Sequence, residues 1–345
     1  MVCIDRWILS FRLWKILMAK KGIFTFCVRG FPGSNKALAQ LEGTTGLTRH
    51  FVIESMHPRG VDIKFFALYL REQTPSLVIF GGWHPVYDAL IKSLPRSSRV
   101  AVYWTSSPAQ TDTSSEAQKL ADVLRNKRID KVLFSSREFA MAINSSREGL
   151  YLPVTMSGED ARQETFDDEG LFKISLFFSS AEYRRKNLLN SLIATSLLKK
   201  KYILYLNRSS RLPGYGAIAR KLGVNYTDFG WMRAEKYQNV LSTVDLGLQV
   251  SLSESYNYVA AEHFLRGKPV IVSRAVPVVD DFSPALKKRL IVDDFDNPFE
   301  IKEKILFFMN NPQEKKRIGN LAYQEFSAIN KSNIRMAKKL LRKFL

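Results

Sequence analysis

Cysteine is nearly absent: Cys3 and Cys27 are the only two in 345 residues. Two cysteines exclude a disulfide framework, and their scarcity fits a reducing compartment. The Asn-x-Ser/Thr triplets at Asn144, Asn207 and Asn225 then carry no weight as glycan acceptors. Long apolar runs are missing as well. No stretch approaches the ~18 uninterrupted apolar residues of a membrane span. The nearest, RWILSFRLWKILMAKK, is broken by Arg6, Arg12 and Lys15. Charge inside its apolar part, with no small-residue cleavage site after it, makes it a poor signal peptide. It reads equally as a surface-lying helix with two Trp at headgroup depth or as a leading helix packed on its domain. Acidic residues are outnumbered, 33 against 52 basic, for a formal charge of +19. The excess is spread over both halves and is densest in KSNIRMAKKLLRKFL, which holds six basic residues and no acid. On a helix, Arg335, Lys338, Lys339 and Arg342 share one face there, with Leu340, Leu341, Phe344 and Leu345 largely on another. Such a field suits nucleic acid, anionic lipid or a phosphate-bearing small molecule. Zinc-ligand spacing, an RNP-like aromatic motif and a helix-turn-helix pattern are all lacking, so nucleic acid is not the expected partner.

What is present is a normal apolar share, 46%, in a chain longer than one core usually spans. Short β-branched or aromatic runs recur as IFTFCV, RHFVIE, SLVIFG, RVAVYW, KVLFS and YLPV, separated by helix-length amphipathic segments. The acidic, aperiodic TMSGEDARQETFDDEG reads as a linker. A second series follows with KISLFF, a helix from Lys186, KYILYL, a helix near Ala217 to Leu222, TDFG, a helix with Met232, Tyr237, Val240, Leu241 and Val244 on one face, LGLQV and PVIVS. Alternating strand and helix with near-continuous apolar strands predicts α/β architecture with parallel sheets covered on both faces. The expected organisation is a Rossmann-like domain over 1–154, a linker at 155–170, a second Rossmann-like domain over 171–326, and a basic helix at 327–345 crossing back to the first domain. Ligands of such sheets bind beyond the carboxyl ends of the strands, which points to the loops after Val28, Gly81, Trp104, Phe178, Leu206 and Val250.

The segment SESYNYVAAEHFLRGKPVIVS, Ser253 to Ser273, carries the sharpest signal. Glu254 follows a buried strand, in the loop at its carboxyl end. Asn257 or Ser255 can cap the next helix, which contains Glu262 and stops at Gly267. Carboxylates grip vicinal hydroxyls, since each accepts several hydrogen bonds, and a helix amino terminus offers N–H groups to an anion. Two hydroxyl-gripping acids around such a helix end describe a sugar-nucleotide site. Both side chains are expected on the rim of the site with no role in the core. The competing reading is a pair of solvated surface glutamates.

This segment resembles the E-x7-E motif of the family 4 glycosyltransferases, and GVNYTDFGWMRAEKYQNVLSTVDLGLQVS resembles the family's approach to it. KISLFFSSAEYRRKNLLNSLIA is similar to the family's first carboxy-terminal strand and diphosphate-binding turn. The likeness covers about residues 171 to 310. In the amino-terminal half only strand order matches. It implies the GT-B fold, two doubly wound domains facing across a cleft, and a retaining transfer of a sugar (hexosyl type) from a nucleoside-diphosphate donor to a glycan, lipid-linked or other acceptor. No cofactor and no metal ion are implied. The resemblance carries donor-sugar hydroxyl binding to Glu254, ribose binding to Glu262, diphosphate neutralisation to Lys186, and backbone contacts with donor oxygens to Ser255, Tyr256 and Asn257. The family's Gly-Arg after its first strand is replaced here by FFSSAEYRRK, so Arg184 or Arg185 is expected to supply that charge. The family's usual small residue at position 257 is replaced by Asn257.

In the amino-terminal half, VRGFPGSNKAL sets Gly30 and Gly33 between the first strand and a helix, where the backbone can approach a diphosphate or acceptor, or where a turn simply needs glycine. FGGWHPVYD puts His84 at another strand's carboxyl end, as a donor to sugar or acceptor or as a structural histidine. WTSSPAQTD adds Ser106, Ser107 and Asp112 to the rim. Seven residues separate GYGAIA from the strand end at Leu206, too many for a dinucleotide turn. Asp294 and Asp296 mimic a metal-binding D-x-D but fall in a late loop. Other readings at this point are a sugar-nucleotide epimerase, a non-catalytic member of the fold and a nucleic-acid-binding module. The expected location is cytoplasmic, with peripheral docking on an anionic inner membrane face.

Overall fold

A computed structural model describes residues 22–29, 31–54, 60–112, 114–144, 149–158, 170–178, 184–207 and 213–345. The Trp-bearing segment before residue 22 and the glycine at position 30 lie outside them. The described chain falls into two compact units. One holds residues up to 106, 110–157 and 333–345, and the other holds 107–109 and 158–332.

The first unit is built on six strands: β1 (Ile23–Val28), β2 (Thr48–Ile53), β3 (Leu77–Gly81), β4 (Arg99–Trp104), β5 (Lys131–Phe134) and β6 (Gly149–Tyr151). They pair in parallel in the order β2-β1-β3-β4-β5-β6. Crossover helices Pro32–Thr45, Gly60–Gln73, Val86–Ser93, Ser114–Arg125 and Arg137–Asn144 connect them. Every residue of β1 and β3 is buried, as expected for strands covered on both faces. The β1 register sets Phe26 opposite Phe51 and Phe80. These rings lie 5.0 and 5.9 Å from that of Phe26, inside a cluster with Phe24, Tyr87 and Trp104. The run YLPV extends beyond its strand: β6 ends at Tyr151, and Pro153 has no N–H to continue a ladder.

The second unit has β7 (Phe172–Leu176), β8 (Tyr202–Leu206), β9 (Tyr226–Asp228), β10 (Leu246–Gln249), β11 (Val270–Ser273) and β12 (Ile291–Val292). Its order is β12-β11-β10-β7-β8-β9, again all parallel. Numbered within the unit, this reads 3-2-1-4-5-6 from its β9 edge, the order of a dinucleotide-binding Rossmann sheet. The polar strand β9 is half-buried because it is the edge. Met232, Val240, Leu241 and Val244 do pack as one cluster with Phe177 and Tyr205, with Tyr237 against it. Met232 lies before the helix Ala234–Thr243 and not within it.

Each sheet has one place where successive crossovers leave in opposite directions, between β1 and β3 in the first and between β7 and β10 in the second. In sheets of this kind, ligands bind beyond the carboxyl ends of the strands at such a place.

Candidate active site

The second unit's switch point is closed by polar side chains from two loops. Gln249, the last residue of β10, donates from Nε2 to Phe177 O beyond β7 at 2.8 Å. Leu252 N donates to Arg185 O at 2.7 Å, tying the loop after β10 to the turn after β7. That turn, Arg184 to Asn187, closes with Asn187 N donating to Arg184 O at 3.0 Å. Asn187 has φ 51°, in the left-handed region, so the helix cannot begin before Leu188. Lys186 therefore sits in the turn, not on the helix it was expected to open.

Glu254 lies at the centre. Its Oε2 accepts from Arg185 Nη1 at 2.6 Å. Its Oε1 accepts from Lys186 Nζ, from Ser251 Oγ at 2.7 Å and from Asn257 Nδ2 at 3.2 Å. Arg185 Nη1 also reaches Ser253 O. Burial acts to raise the Glu254 pKa, but the charges of Lys186 and Arg185 and their hydrogen bonds outweigh it and hold the carboxyl below its ordinary value. Glu254 is an anion at neutral pH. Arg184, the alternative source of charge, is exposed.

Glu262 lies in the short helix Tyr258–Phe264, and its Oε2 accepts from Tyr237 Oη at 2.6 Å. Glu254 and Glu262 are only 8% and 5% exposed, so the expectation of two rim carboxylates without a core role is wrong for this structure. A carboxylate can be buried when every oxygen is paired, and Glu254 is the clear case. The helix itself ends at Phe264, three residues before Gly267. It is seven residues long, and one of its free N–H groups, Ala260 N, is already taken by Asn257 Oδ1 at 3.0 Å. The cap takes one of the N–H groups that the sequence offers to an anion at this helix end.

Asn257 resolves one departure from the family pattern. Its φ is 78°, a region asparagine tolerates better than other residues with a side chain. From there it caps the helix with Oδ1, while Nδ2 bridges Gln249 Oε1 and Glu254 Oε1, each at 3.2 Å. Ser255 is half-buried, and Tyr256 is buried with its ring 5.3 Å from that of Tyr258. Sequence reasoning missed Ser251, Gln249 and Tyr237. Gln249 could have been found, as the one polar residue of the buried run LGLQV. Tyr237 was counted only as part of an apolar face.

His84 and Gly33 belong to the first unit. His84 follows β3 at that unit's own switch point, its Nδ1 accepting from Val86 N at 3.3 Å and its ring 6.4 Å from that of Phe31. Gly33 lies in the first turn of the helix Pro32–Thr45, exposed, with nothing within 4 Å of where a Cβ would stand. It does not have the positive φ that would demand glycine, whereas Gly82 beside His84 does, at 66°. Ser107 is buried and Asp112 exposed. His263, next to Glu262, is a core residue: Nδ1 pairs with Val259 O at 2.7 Å and Nε2 with Ser175 Oγ at 2.6 Å. Burial lowers its pKa to about 4.

Among the described residues, no group of three or more His, Cys, Asp or Glu stands together as a metal site. The Asp294–Asp296 loop is held by Asn187 Nδ2 on Phe295 O at 2.6 Å and by Asn190 Nδ2 on Asp296 Oδ1 at 2.7 Å. A depression of about 500 Å³ opens at the amino ends of β7 and β8, lined by Phe172, Lys200, Lys201, Asp245 and Met309. It lies at the opposite end of the sheet from Glu254, and lysines after the helix Leu188–Ser196 suit the negative end of its dipole. No helix among the described residues is long and apolar enough to cross a membrane.

No protein-family model matches the chain, and no curated protein matches it in sequence. Solved structures do match, over nearly its whole length. Sucrose-phosphate synthase from Thermosynechococcus elongatus superposes with a TM-score of 0.73 at 15% identity, covering 94% of this chain and 99% of that one. Anabaena HepE in complex with UDP-glucose gives 0.72 at 13% identity, covering 93% and 98%. WaaG, a glycosyltransferase involved in lipopolysaccharide biosynthesis, gives 0.64 at 13%, covering 92% and 99%. At such identities the likeness defines the fold, which is GT-B: two doubly wound, Rossmann-like units in one chain.

Proposed function

We propose that this protein is a retaining glycosyltransferase that moves a sugar, of hexosyl type, from a nucleoside-diphosphate donor to a hydroxyl of a glycan, lipid-linked or other acceptor. The observation that carries the reading is Glu254 buried between Lys186 and Arg185 at the carboxyl ends of β7 and β10. A carboxylate to grip sugar hydroxyls and two cations to meet a diphosphate stand within one hydrogen-bond network, at the place where such sheets hold nucleotides. The shared fold supports it, since HepE is a structure in complex with UDP-glucose.

In this reading the bond from the anomeric carbon to the diphosphate oxygen breaks, and its electron pair leaves with the diphosphate. The acceptor oxygen bonds to that carbon on the same face, and its proton passes to the leaving phosphate oxygen. Lys186 and Arg185 stabilise the negative charge that grows on the leaving group. Glu254 holds the donor-sugar hydroxyls, Glu262 the ribose, and the backbone at Ser255, Tyr256 and Asn257 contacts donor oxygens. Gly33 and His84 would serve the donor or acceptor from the first unit. The chemistry needs no divalent ion, so activity should survive EDTA, and its abolition would count against the mechanism.

The deciding experiment is a thermal-shift screen against UDP-, GDP- and ADP-sugars. A matched donor at a hundredfold excess over its Kd adds about 2.7 kcal/mol of stability, easily read as a shift. If no sugar nucleotide moves the transition and the protein instead retains DNA or RNA with steep salt dependence, the reading fails.

The last helix, Pro312–Arg342, bears on location. Ala337 and Leu341 are buried, while Lys331, Arg335, Lys339, Arg342 and Lys343 are exposed. Part of its apolar face is therefore core, and reversible docking on an anionic cytoplasmic leaflet would rest on charge. Salt-sensitive flotation with anionic vesicles tests this, and absence of flotation removes it.

A further inference from the structure

Glu254 is already engaged before any ligand arrives. Its Oε1 accepts from Lys186, Ser251 and Asn257, and its Oε2 accepts from Arg185. At about two lone pairs per oxygen, Oε1 is filled and a sugar hydroxyl finds its one open place on Oε2, beside Arg185. The partners it holds most strongly, Lys186 and Arg185, are also the cations proposed to meet the diphosphate. The side chains of all three groups are nearly buried, 6% exposed for Glu254, 10% for Lys186 and 14% for Arg185. Moving these cations away leaves a desolvated carboxylate with its charge uncompensated, which is costly in a low-dielectric site.

We propose that Glu254 is a built-in competitor of the nucleoside diphosphate, which admits the diphosphate only when it carries a sugar and expels it once the sugar has gone. This rests on the glycosyltransferase reading and adds a specificity device to the same site. A sugar nucleotide settles both accounts at once: its phosphates take Lys186 and Arg185, and its hydroxyls donate to the released Glu254. A bare nucleoside diphosphate takes the cations and offers Glu254 nothing. After transfer, Glu254 recaptures Lys186 and Arg185 and the product leaves. Charge alone predicts the opposite preference, because a free nucleoside diphosphate carries more negative charge than its sugar ester and should bind two cations more tightly.

Calorimetric titration of the full chain with UDP and UDP-glucose, and with the GDP and ADP pairs in parallel, tests the proposal. In the parent, the matched sugar nucleotide should bind at least tenfold more tightly than its nucleoside diphosphate. In Glu254→Gln, the nucleoside diphosphate should bind about tenfold more tightly than in the parent, while the sugar nucleotide gains nothing. If the parent binds both equally, or prefers the nucleoside diphosphate, the competitor role is overturned whether or not the variant folds. If Glu254→Gln folds and leaves nucleoside diphosphate affinity unchanged or weaker, it is overturned as well. In both cases the sugar nucleotide still binds the parent, so the glycosyltransferase reading stands. If no nucleotide or sugar nucleotide binds the parent at all, that reading fails and takes this proposal with it.

Discussion

The two units carry an ion pair near the carboxyl ends of their first strands, and the two pairs have little else in common. In the first unit Arg29, after β1, meets Glu54, after β2, at 3.2 Å, with side chains 72% and 71% exposed. In the second, Arg185 and Lys186 close on a buried Glu254 that two neutral donors also hold. The core beneath the first switch point is aromatic, with the tilted rings of Phe26, Phe80 and Tyr87 packed together and those of His84 and Trp83 edge-on to Tyr87. Beneath the second lies a polar chain from Phe177 O through Gln249 and Asn257 to Glu254. Two sheets of nearly the same topology thus put their polar groups to different uses. An exposed pair is screened by water and holds little in place. A buried network persists only where each member is satisfied, and it fixes side chains in one geometry, as a binding site requires.

The comparison breaks most visibly at Lys186. Lys186→Met keeps most of the stem and removes the charge, leaving Glu254 with Arg185 as its one cation. Removing a partner from a buried pair costs about 3–5 kcal/mol, and the remaining Arg185 places the expected loss near the lower end. Urea unfolding reads it directly. The double variant with Glu254→Gln should recover part of the loss, because the stranded charge is gone. A loss of less than about 1 kcal/mol in the single variant would mean that water reaches Glu254, and that the two units differ less than their exposures indicate.

Acid should weaken both units, for the same reason in each. Burial lowers the pKa of His263 to about 4, and that of His50, paired with Thr25 and Asn35, also to about 4. Between pH 6.5 and 4 the unfolded imidazole binds a proton that the folded one refuses, so stability rises with pH through that window and is lost on the way down. For His263, which is wholly buried, this amounts to about 3 kcal/mol. Glu254, whose folded pKa is lowered, adds stability above its ordinary range that disappears as pH falls through the folded value. Histidine ring signals followed by NMR should show both imidazoles neutral at pH 5.5. A normal titration at either position would contradict its burial.

A smaller effect is expected at Tyr237, whose hydroxyl donates to the second carboxylate, Glu262. A hydrogen bond to a charged group contributes about 1.5–3 kcal/mol, and Tyr237→Phe removes it while keeping the ring against Phe177. Stability should fall by about 1.5 kcal/mol. Glu262 loses its orientation, so donor affinity should drop several-fold with turnover little changed. A fall in turnover alone would remove Glu262 from ribose binding.

The strands were legible because burial on both faces writes itself as continuous apolar runs: IFTFCV and RVAVYW coincide with β1 and β4. The edge strand β12, two residues long, left no such run. The carboxylates at 254 and 262 stood out by their spacing, but their burial was not legible. A glutamate in a sequence defaults to solvent, and only the positions of its partners, 68 and 69 residues away, make burial tolerable. The choice between Arg184 and Arg185 was equally hidden. It depends on a turn that the left-handed Asn187 sets, and one residue there separates an exposed arginine from one whose side chain is only 14% exposed.

The smallest expected effect is the one that sharpens the comparison. Arg29→Ala removes the exposed partner of Glu54, and exposed pairs contribute about 0–1 kcal/mol because solvent screens the attraction and two long side chains lose freedom to form it. Unfolding should shift by no more than about 0.5 kcal/mol, and 1 M salt, with a Debye length of about 3 Å, should erase even that. The buried pair should respond differently, with the Lys186→Met loss surviving high salt because burial shields the pair from screening. A salt-resistant loss at Arg29 would show that the first unit's rim is as closed as the second's. The contrast between a screened surface pair and a buried binding network would then fail at its simpler end.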